Sequence, residues 1–169
     1  MALSLQADGW YLRSDIVWEK PNCMPESVRD RPTRSHEYVF LLSKSERYYY
    51  DAEAISEPSG GNKGNNFGTD YHRHVKKGLG TGPRSVKATR NSRTVWSIAT
   101  QPYRGAHFAV MSSGLARKAI LAGSRAGDIV LDPFSGAGTT AMVALREGRR
   151  AIGTELNPAY LRLLAGRIL

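Results

Sequence analysis

The residues with the clearest chemical potential form a glycine-rich turn between an apolar run and a helix-like segment. The run 128–131 leads into Asp-Pro-Phe-Ser-Gly-Ala-Gly-Thr-Thr at 132–140, and the segment 141–147 follows. A second apolar run, 151–154, ends in Glu155. Glycines let the main chain approach a ligand, and an acid at the end of the second strand can bind ribose hydroxyls. This order predicts a nucleotide-type cofactor site; the alternative is a plain βαβ unit with a tight turn.

The acid that ends the first run distinguishes one cofactor from another. A dinucleotide site has a third glycine and a pyrophosphate at the helix N-terminus. Here Ala141 stands where the third glycine would fall, and Asp132 would repel a pyrophosphate. The same carboxylate would attract the ammonium of an amino acid. These features favour S-adenosylmethionine, which joins an adenosine to an amino acid.

With these motifs the sequence resembles the β-arrangement DNA amino-methyltransferases, which methylate the exocyclic nitrogen of adenine or cytosine. The matches are the run 132–140 and Gly-Thr-Glu-Leu-Asn-Pro at 153–158. Upstream, Trp-Glu-Lys-Pro-Asn at 18–22, followed by Pro25, Arg31, His36, Glu37 and Lys44, is similar to the family's region near the target base. The segment 107–109 resembles the part that closes over the methionine end of the cofactor.

The resemblance implies a set of cofactor-lining residues, with Glu155 on the ribose. The others are Asp132, Phe134, Ser135, Gly136, Gly138, Thr139, Asn157 and Phe108. After 107–109 the family commonly has a Phe-Pro turn, whereas this chain has Val-Met-Ser-Ser at 110–113. Ser112 or Ser113 can still cap the following helix, so the fold should persist.

The family's catalytic motif, Asp-Pro-Pro-Tyr or Ser-Pro-Pro-Tyr, lies N-terminal to all these segments in the β arrangement. All eight prolines of this chain are isolated, so the motif does not occur in it. The resemblance therefore implies a circularly permuted, Rossmann-like α/β fold whose two central strands are missing, with exposed apolar strands. We expect no activity alone, and a partner chain supplying the motif. The alternatives are a non-catalytic DNA-binding accessory subunit and an inactive remnant.

Three segments organise the chain. Residues 1–56 contain the end of a helix that stops at Gly9, strands at 14–18 and 37–42, and an irregular linker at 20–35 near the target base. Residues 57–93 hold seven glycines and eight Lys or Arg against two acids, which predicts a flexible DNA-recognition segment. Residues 94–169 contain a strand at 95–98, a helix at 113–122, the cofactor unit, and a helix at 157–168 capped by Asn157.

The net charge of +9 favours a polyanionic partner, although a solvated basic surface would give the same composition. The residues expected to contact DNA are Lys20, Asn22, Arg31, Arg34, Lys76, Lys77, Arg84, Arg90 and Arg93. Trp18 and His36 are further candidates for the walls of a base pocket, and Trp18 is more consistent with the core. The single cysteine, Cys23, excludes an intramolecular disulfide and a cysteine-rich metal site. The absence of an apolar span and of a leader predicts a cytoplasmic location.

Overall fold

A computed structural model describes residues 2–59, 88–101 and 111–168. The elements within these ranges are mixed helices and strands. In chain order they are α1 (Ala2–Ala7), β1 (Tyr11–Glu19), β2 (His36–Ser43), β3 (Glu57–Pro58), β4 (Thr89–Arg90), β5 (Val95–Ser97), α2 (Ser113–Gly123), β6 (Ile129–Asp132), α3 (Thr139–Arg146), β7 (Arg150–Gly153) and α4 (Pro158–Ile168).

The first half of the chain forms a three-stranded sheet in the order β2-β1-β5. β1 runs antiparallel to β2, from Tyr11 opposite Ser43 to Glu19 opposite His36, and parallel to β5. Alternate residues of β1 are buried, as expected for a strand that covers a core on one face. Trp18 lies in that core, where its indole Nε1 donates to the carbonyl of Ile98 at 2.8 Å, so the core interpretation of Trp18 is confirmed.

The second half forms a βαβ unit. β6 and β7 pair in parallel from Ile129 opposite Arg150 to Asp132 opposite Gly153, and α3 connects them. A second core lies between α2 and α3, where Ile120 and Ala144 are buried. Val130 packs against this core, whereas its neighbour Leu131 points to the opposite face and is 62% exposed. One face of the β6–β7 sheet is therefore covered by helices and the other exposes apolar side chains.

A two-stranded ribbon joins the ends of the segment predicted to be flexible. β3 pairs antiparallel with β4, with Glu57 opposite Arg90 and Pro58 opposite Thr89. Residues 60–87, between the two strands, lie outside the described residues. The boundaries predicted for this segment, 57–93, stay a prediction, but its two ends are in contact.

The elements predicted from the sequence are confirmed with small shifts at their ends. α1 ends before Gly9, whose φ of 86° stops the helix. Ser112 occupies the N-cap position of α2, but its hydroxyl donates to the carbonyl of Ala99 instead of capping the helix. The side chain of Gln101 accepts from the main-chain N–H of Ser113 in its place. In the described part of the chain, no helix has the length and apolar character needed to cross a membrane.

Candidate cofactor and DNA site

The glycine turn lies where β6 and β7 end side by side. Gly136 and Gly138 have φ values of 51° and 75°, in the left-handed region that side chains disfavour. The N–H of Ser135 donates to the carbonyl of Thr154 at 2.9 Å, and the N–H of Thr154 donates to the carbonyl of Asp132 at 3.0 Å. The turn is thus fixed against the end of β7, which brings the two parts of the predicted cofactor motif together.

Asp132 stands at the tip of β6. One of its carboxylate oxygens, Oδ1, accepts a hydrogen bond from the N–H of Phe134 at 3.0 Å. The Phe134 side chain is 86% exposed and lies beside the turn. A carboxylate and an exposed aromatic ring at neighbouring positions can receive an ammonium group and an apolar or aromatic ligand surface.

Glu155 connects the end of β7 to the glycine turn directly. Its Oε2 accepts from the N–H of Gly136 at 2.7 Å, and its Oε1 accepts from the N–H of Asn157 at 2.8 Å. These two bonds hold the carboxylate at the edge where β6 and β7 end, between the glycine turn and the start of α4. The position suits the predicted ribose contact, which stays a prediction.

Ser135 provides a test of whether a ligand fits this turn. Its side-chain oxygen is buried and has no hydrogen-bond partner among the described residues. A buried hydroxyl without a partner is costly, so a polar group brought by a ligand would satisfy it. A Cβ built on Gly153 would lie 2.6 Å from the Ser135 oxygen, so glycine is needed there for close packing. The turn therefore fits a polar cofactor.

Three predicted cofactor residues also cap helices or contact them through hydrogen bonds. The Thr139 hydroxyl accepts from the Arg167 guanidinium at 3.1 Å, and the same guanidinium donates to the carbonyl of Ala137. Asn157 caps α4, because its Oδ1 accepts from the N–H of Ala159 at 3.0 Å, as predicted. Gly138 is the N-cap of α3. Phe108 lies outside the described residues.

Two predicted DNA contacts of the linker, Lys20 and Asn22, already have protein partners. Lys20 pairs with Glu37 and lies over the Trp18 ring, with 4.7 Å from its amine to the ring centroid. The Asn22 side chain exchanges two hydrogen bonds with the main chain of Thr100. These contacts fix the start of the linker against β1, β2 and the residues that follow β5.

The remaining predicted DNA contacts fall into three groups. Arg31 pairs with Glu26 at 2.9 Å, and Arg34 is exposed. Arg90 and Arg93 both pair with Glu57, whose role had no signal in the sequence. Lys76, Lys77 and Arg84 lie outside the described residues. In the described ranges, no three side chains are placed to hold a metal ion.

An apolar groove lies between the β2-β1-β5 sheet and the β6–β7 sheet, at the central position where the family resemblance implies two missing strands. Its volume is about 430 Å³. Val39 of β2 lines one side, Ile129 and Val130 of β6 line the other, and α2 forms much of the wall with Leu115 and Ile120. No strand of the described residues pairs with β6 on the side away from β7. The groove is thus bounded by the edge of β6 that has no partner strand among the described residues.

Comparison with known families identifies the class of protein. The family model described as "DNA methylase", for N6 and N4 methylation, matches residues 1–166. The chain therefore belongs to this family of DNA methyltransferases. The family assignment made from the motifs is confirmed, and with it S-adenosylmethionine as the family's cofactor.

Individual relatives are type II DNA methyltransferases. The chain is 52% identical over 169 residues to the type II methyltransferase M.SmaI of Serratia marcescens, covering 100% of this chain and 50% of that protein. It is 49% identical to M.Cfr9I of Citrobacter freundii, covering 99% of this chain and 48% of that protein. The chain spans about half the length of the curated relatives that it matches.

Solved structures confirm the fold. The PvuII DNA methyltransferase, described as cytosine-N4-specific, matches with a TM-score of 0.71 and 21% identity, over 99% of this chain and 55% of that one. M1.HpyAVI, solved as a complex with SAM, matches with a TM-score of 0.67 and 21% identity, over 96% of this chain and 65% of that one. The predicted Rossmann-like α/β fold, represented in part, is confirmed.

Proposed function

We propose that this chain forms the cofactor-binding and DNA-recognition half of a DNA amino-methyltransferase that modifies adenine or cytosine. The observation that carries the proposal is the Glu155 carboxylate, which accepts the N–H of Gly136 at 2.7 Å. This bond places the acid after β7 next to the glycine turn after β6, and these are the two parts from which a site for an adenosine-containing ligand is built. Family membership over residues 1–166 supports the same assignment.

We assign the two ends of the cofactor to the two strand tips. The Asp132 carboxylate would hold the ammonium of the methionine part, and Glu155 the ribose hydroxyls. The Ser135 hydroxyl, which has no partner among the described residues, and the exposed Phe134 ring would complete the contacts. Gly136 and Gly138 would allow close approach of the main chain. S-adenosylmethionine supplies an electrophilic methyl group when bound.

Methyl transfer also needs a group that positions the target nitrogen, and the chain lacks the Asp-Pro-Pro-Tyr type motif that does so in the family. We propose that a segment carrying this motif docks in the groove between β2 and β6. The groove is apolar, and Ile129 on β6 is 50% exposed beside it. A strand added to the unpaired side of β6 would bury that surface and satisfy its main-chain groups.

We place DNA contact on the basic residues of the linker and of segment 57–93. Arg34 is exposed, and Arg90 and Arg93 are 45% and 68% exposed even though both pair with Glu57. Partly exposed guanidinium groups can exchange a protein carboxylate for a phosphate. The surplus of basic residues in 60–87 favours the same partner. A cytoplasmic location would suit this activity.

Calorimetric titration with S-adenosylmethionine tests the cofactor site without relying on activity. We expect the wild-type chain to bind and Asp132→Ala to bind at least about tenfold more weakly, because it loses a charge-assisted hydrogen bond. Asp8→Ala removes an exposed carboxylate next to α1 and should bind like the wild type. Equal affinity of the Asp132 and Asp8 variants would contradict the assignment.

Transfer of labelled methyl to unmethylated DNA tests the reaction. The chain alone should give no incorporation, and an added polypeptide carrying the Asp/Ser-Pro-Pro-Tyr motif should restore it. Incorporation by the chain alone would show that the motif is not needed. A chain that binds cofactor and DNA but is not activated by such polypeptides would support the accessory-subunit alternative.

A further inference from the structure

Arg167, in the last turn of α4, contacts the glycine turn from its buried side. Its guanidinium nitrogen Nη1 donates to the carbonyl of Ala137 at 3.0 Å and to the Thr139 hydroxyl at 3.1 Å. Ala137 and Thr139 are each 4% exposed, whereas Phe134 at the start of the turn is 86% exposed. One nitrogen of a residue 28 and 30 positions away thus holds the end of the turn at two points.

The two halves of the turn are held by different elements. The first half is tied to the end of β7 through the hydrogen bond between Gly136 and Glu155. The second half is tied to α4, through Arg167 and through Leu164, whose side chain would lie 2.7 Å from a Cβ built on Gly138. α4 therefore fixes the half of the turn that leads into α3.

A glycine-rich turn needs such support in order to bind a ligand tightly. Glycine loses more backbone freedom on ordering than any other residue, so a turn with Gly136 and Gly138 at positive φ is costly to fix. A contact that orders the turn beforehand removes this cost from the binding step. Charge alone does not explain the place of Arg167. A cation in the last turn of α4 favours that helix even when solvated, but it opposes the dipole at the first turn of α3, where Thr139 lies.

We infer that Arg167 is a positioning residue for cofactor binding, which holds the second half of the glycine turn in the shape that receives S-adenosylmethionine. The inference rests on the cofactor site proposed above. Because Ala137 and Thr139 are buried and Arg167 reaches them from the side of α4, the guanidinium acts through the turn. Loss of the guanidinium should therefore loosen the turn and weaken binding of the cofactor.

Arg167→Gln tests the inference, with Arg162→Gln as its matched control. Arg162 lies on the same helix and is exposed. Both variants lose one positive charge, so any general electrostatic effect on the charged ligand changes equally. By calorimetric titration with S-adenosylmethionine, we expect the Arg167 variant to bind about fivefold to tenfold more weakly than the Arg162 variant. Equal affinity of the two variants would overturn the inference.

Gly148→Ala is a second control, for stability alone. Gly148 has a φ of 74°, so alanine strains the backbone there, at a position outside the turn. We expect this variant to bind S-adenosylmethionine like the wild type although its melting temperature is lowered. A Gly148 variant that lost as much affinity as the Arg167 variant would show that affinity follows general stability, and would overturn the inference.

Hydrogen exchange without cofactor shows whether Arg167 acts through the turn. The turn has hydrogen-bonded amides at Ser135, Gly136 and Gly138. These amides should exchange faster in the Arg167 variant than in the Arg162 variant. Faster exchange with unchanged affinity would show a purely structural role, and lower affinity with unchanged exchange would show an action that bypasses the turn. Either result would overturn the inference. Failure of the wild-type chain to bind S-adenosylmethionine would instead overturn the cofactor site, and the inference with it.

Discussion

Gly138 combines two requirements that can be separated by experiment. Its φ of 75° disfavours any side chain, and a Cβ built on it would lie 2.7 Å from the side chain of Leu164 in α4. Gly148 has nearly the same φ, 74°, but a Cβ there would meet nothing within 4 Å. Gly148→Ala should lower the free energy of unfolding by about 1 kcal/mol, from backbone strain alone.

Gly138→Ala should lower the free energy of unfolding by about 2–3 kcal/mol, because the clash with Leu164 adds to the strain. Urea denaturation followed by circular dichroism measures both variants. The Gly138 variant should also lose affinity for S-adenosylmethionine, since the turn must shift. Equal destabilisation by the two substitutions would show that α4 does not pack on the turn as described.

Sequence motifs single out residues that stand close together in the chain more readily than contacts between distant segments. Asp132 and Phe134 belong to one short run, and their hydrogen bond spans two positions. By contrast, Glu57 and Arg93 are 36 positions apart and Lys118 lies on a helix beyond both. No periodicity or motif connects these three, so only the folded chain could reveal their contact.

At the scale of elements, hydrophobic patterning predicted the longer strands and helices and missed the shortest ones. β1 is longer than the predicted 14–18 because pairing with β2 continues to Tyr11. α3 begins at Thr139, before the predicted start at 141, since the left-handed Gly138 ends the turn earlier. The two-residue strands β3 and β4 have too few positions for any period to be visible. Pairing across the chain defines them instead.

The β3–β4 ribbon should respond to acid through Glu57. Partial burial raises the pKa of this carboxyl, but hydrogen bonds from Arg93 and Ser92 lower it more, and the net shift is downward. The cations that face it are Arg90, Arg93 and Lys118. Burial lowers the pKa of the Lys118 amine, and the attraction of Glu57 opposes this shift. Lysine amines ordinarily titrate in the alkaline range. Of these four groups, the carboxyl is the one that titrates in acid.

The pKa of the Glu57 carboxyl is lower when the ribbon lies against α2 than when the ribbon is detached. The ionised carboxylate therefore stabilises the contact at pH values above the ordinary glutamate range, and this stabilisation is lost as the pH falls through the lowered pKa. Spin labels at Thr89→Cys and Ala119→Cys, in a Cys23→Ser background, would report the distance from the ribbon to α2. In the labelled chain that keeps Glu57, the distance distribution should broaden in acid. With Glu57→Gln it should be broad at every pH. A distance distribution that changes neither with pH nor with the Glu57→Gln substitution would contradict the role of the carboxylate.

At the scale of the whole molecule, the described residues bury two apolar cores and leave one apolar face of the β6–β7 sheet exposed. The cores around Trp18 and around Ala144 are buried, whereas Ile129, Leu131 and Ile152 on the uncovered face of the β6–β7 sheet are between 50% and 62% exposed. The relatives are about twice as long as the chain, and the groove lies beside the same strand. The segment proposed to dock beside β6 would also lie next to these exposed side chains.

This surface should make the isolated chain associate with itself. Contiguous apolar surface next to the unpaired edge of a strand is a common cause of association, and a lysine placed there opposes it. By sedimentation velocity over a range of concentrations, Leu131→Lys should shift the chain towards the monomer. Leu3→Lys changes a residue of α1 that is even more exposed, at 80%, and should leave the distribution unchanged. The Leu131 variant should also resist activation by a polypeptide carrying the catalytic motif, while the Leu3 variant is activated like the wild type. Activation of both to the same extent would mean that the motif docks elsewhere than against β6.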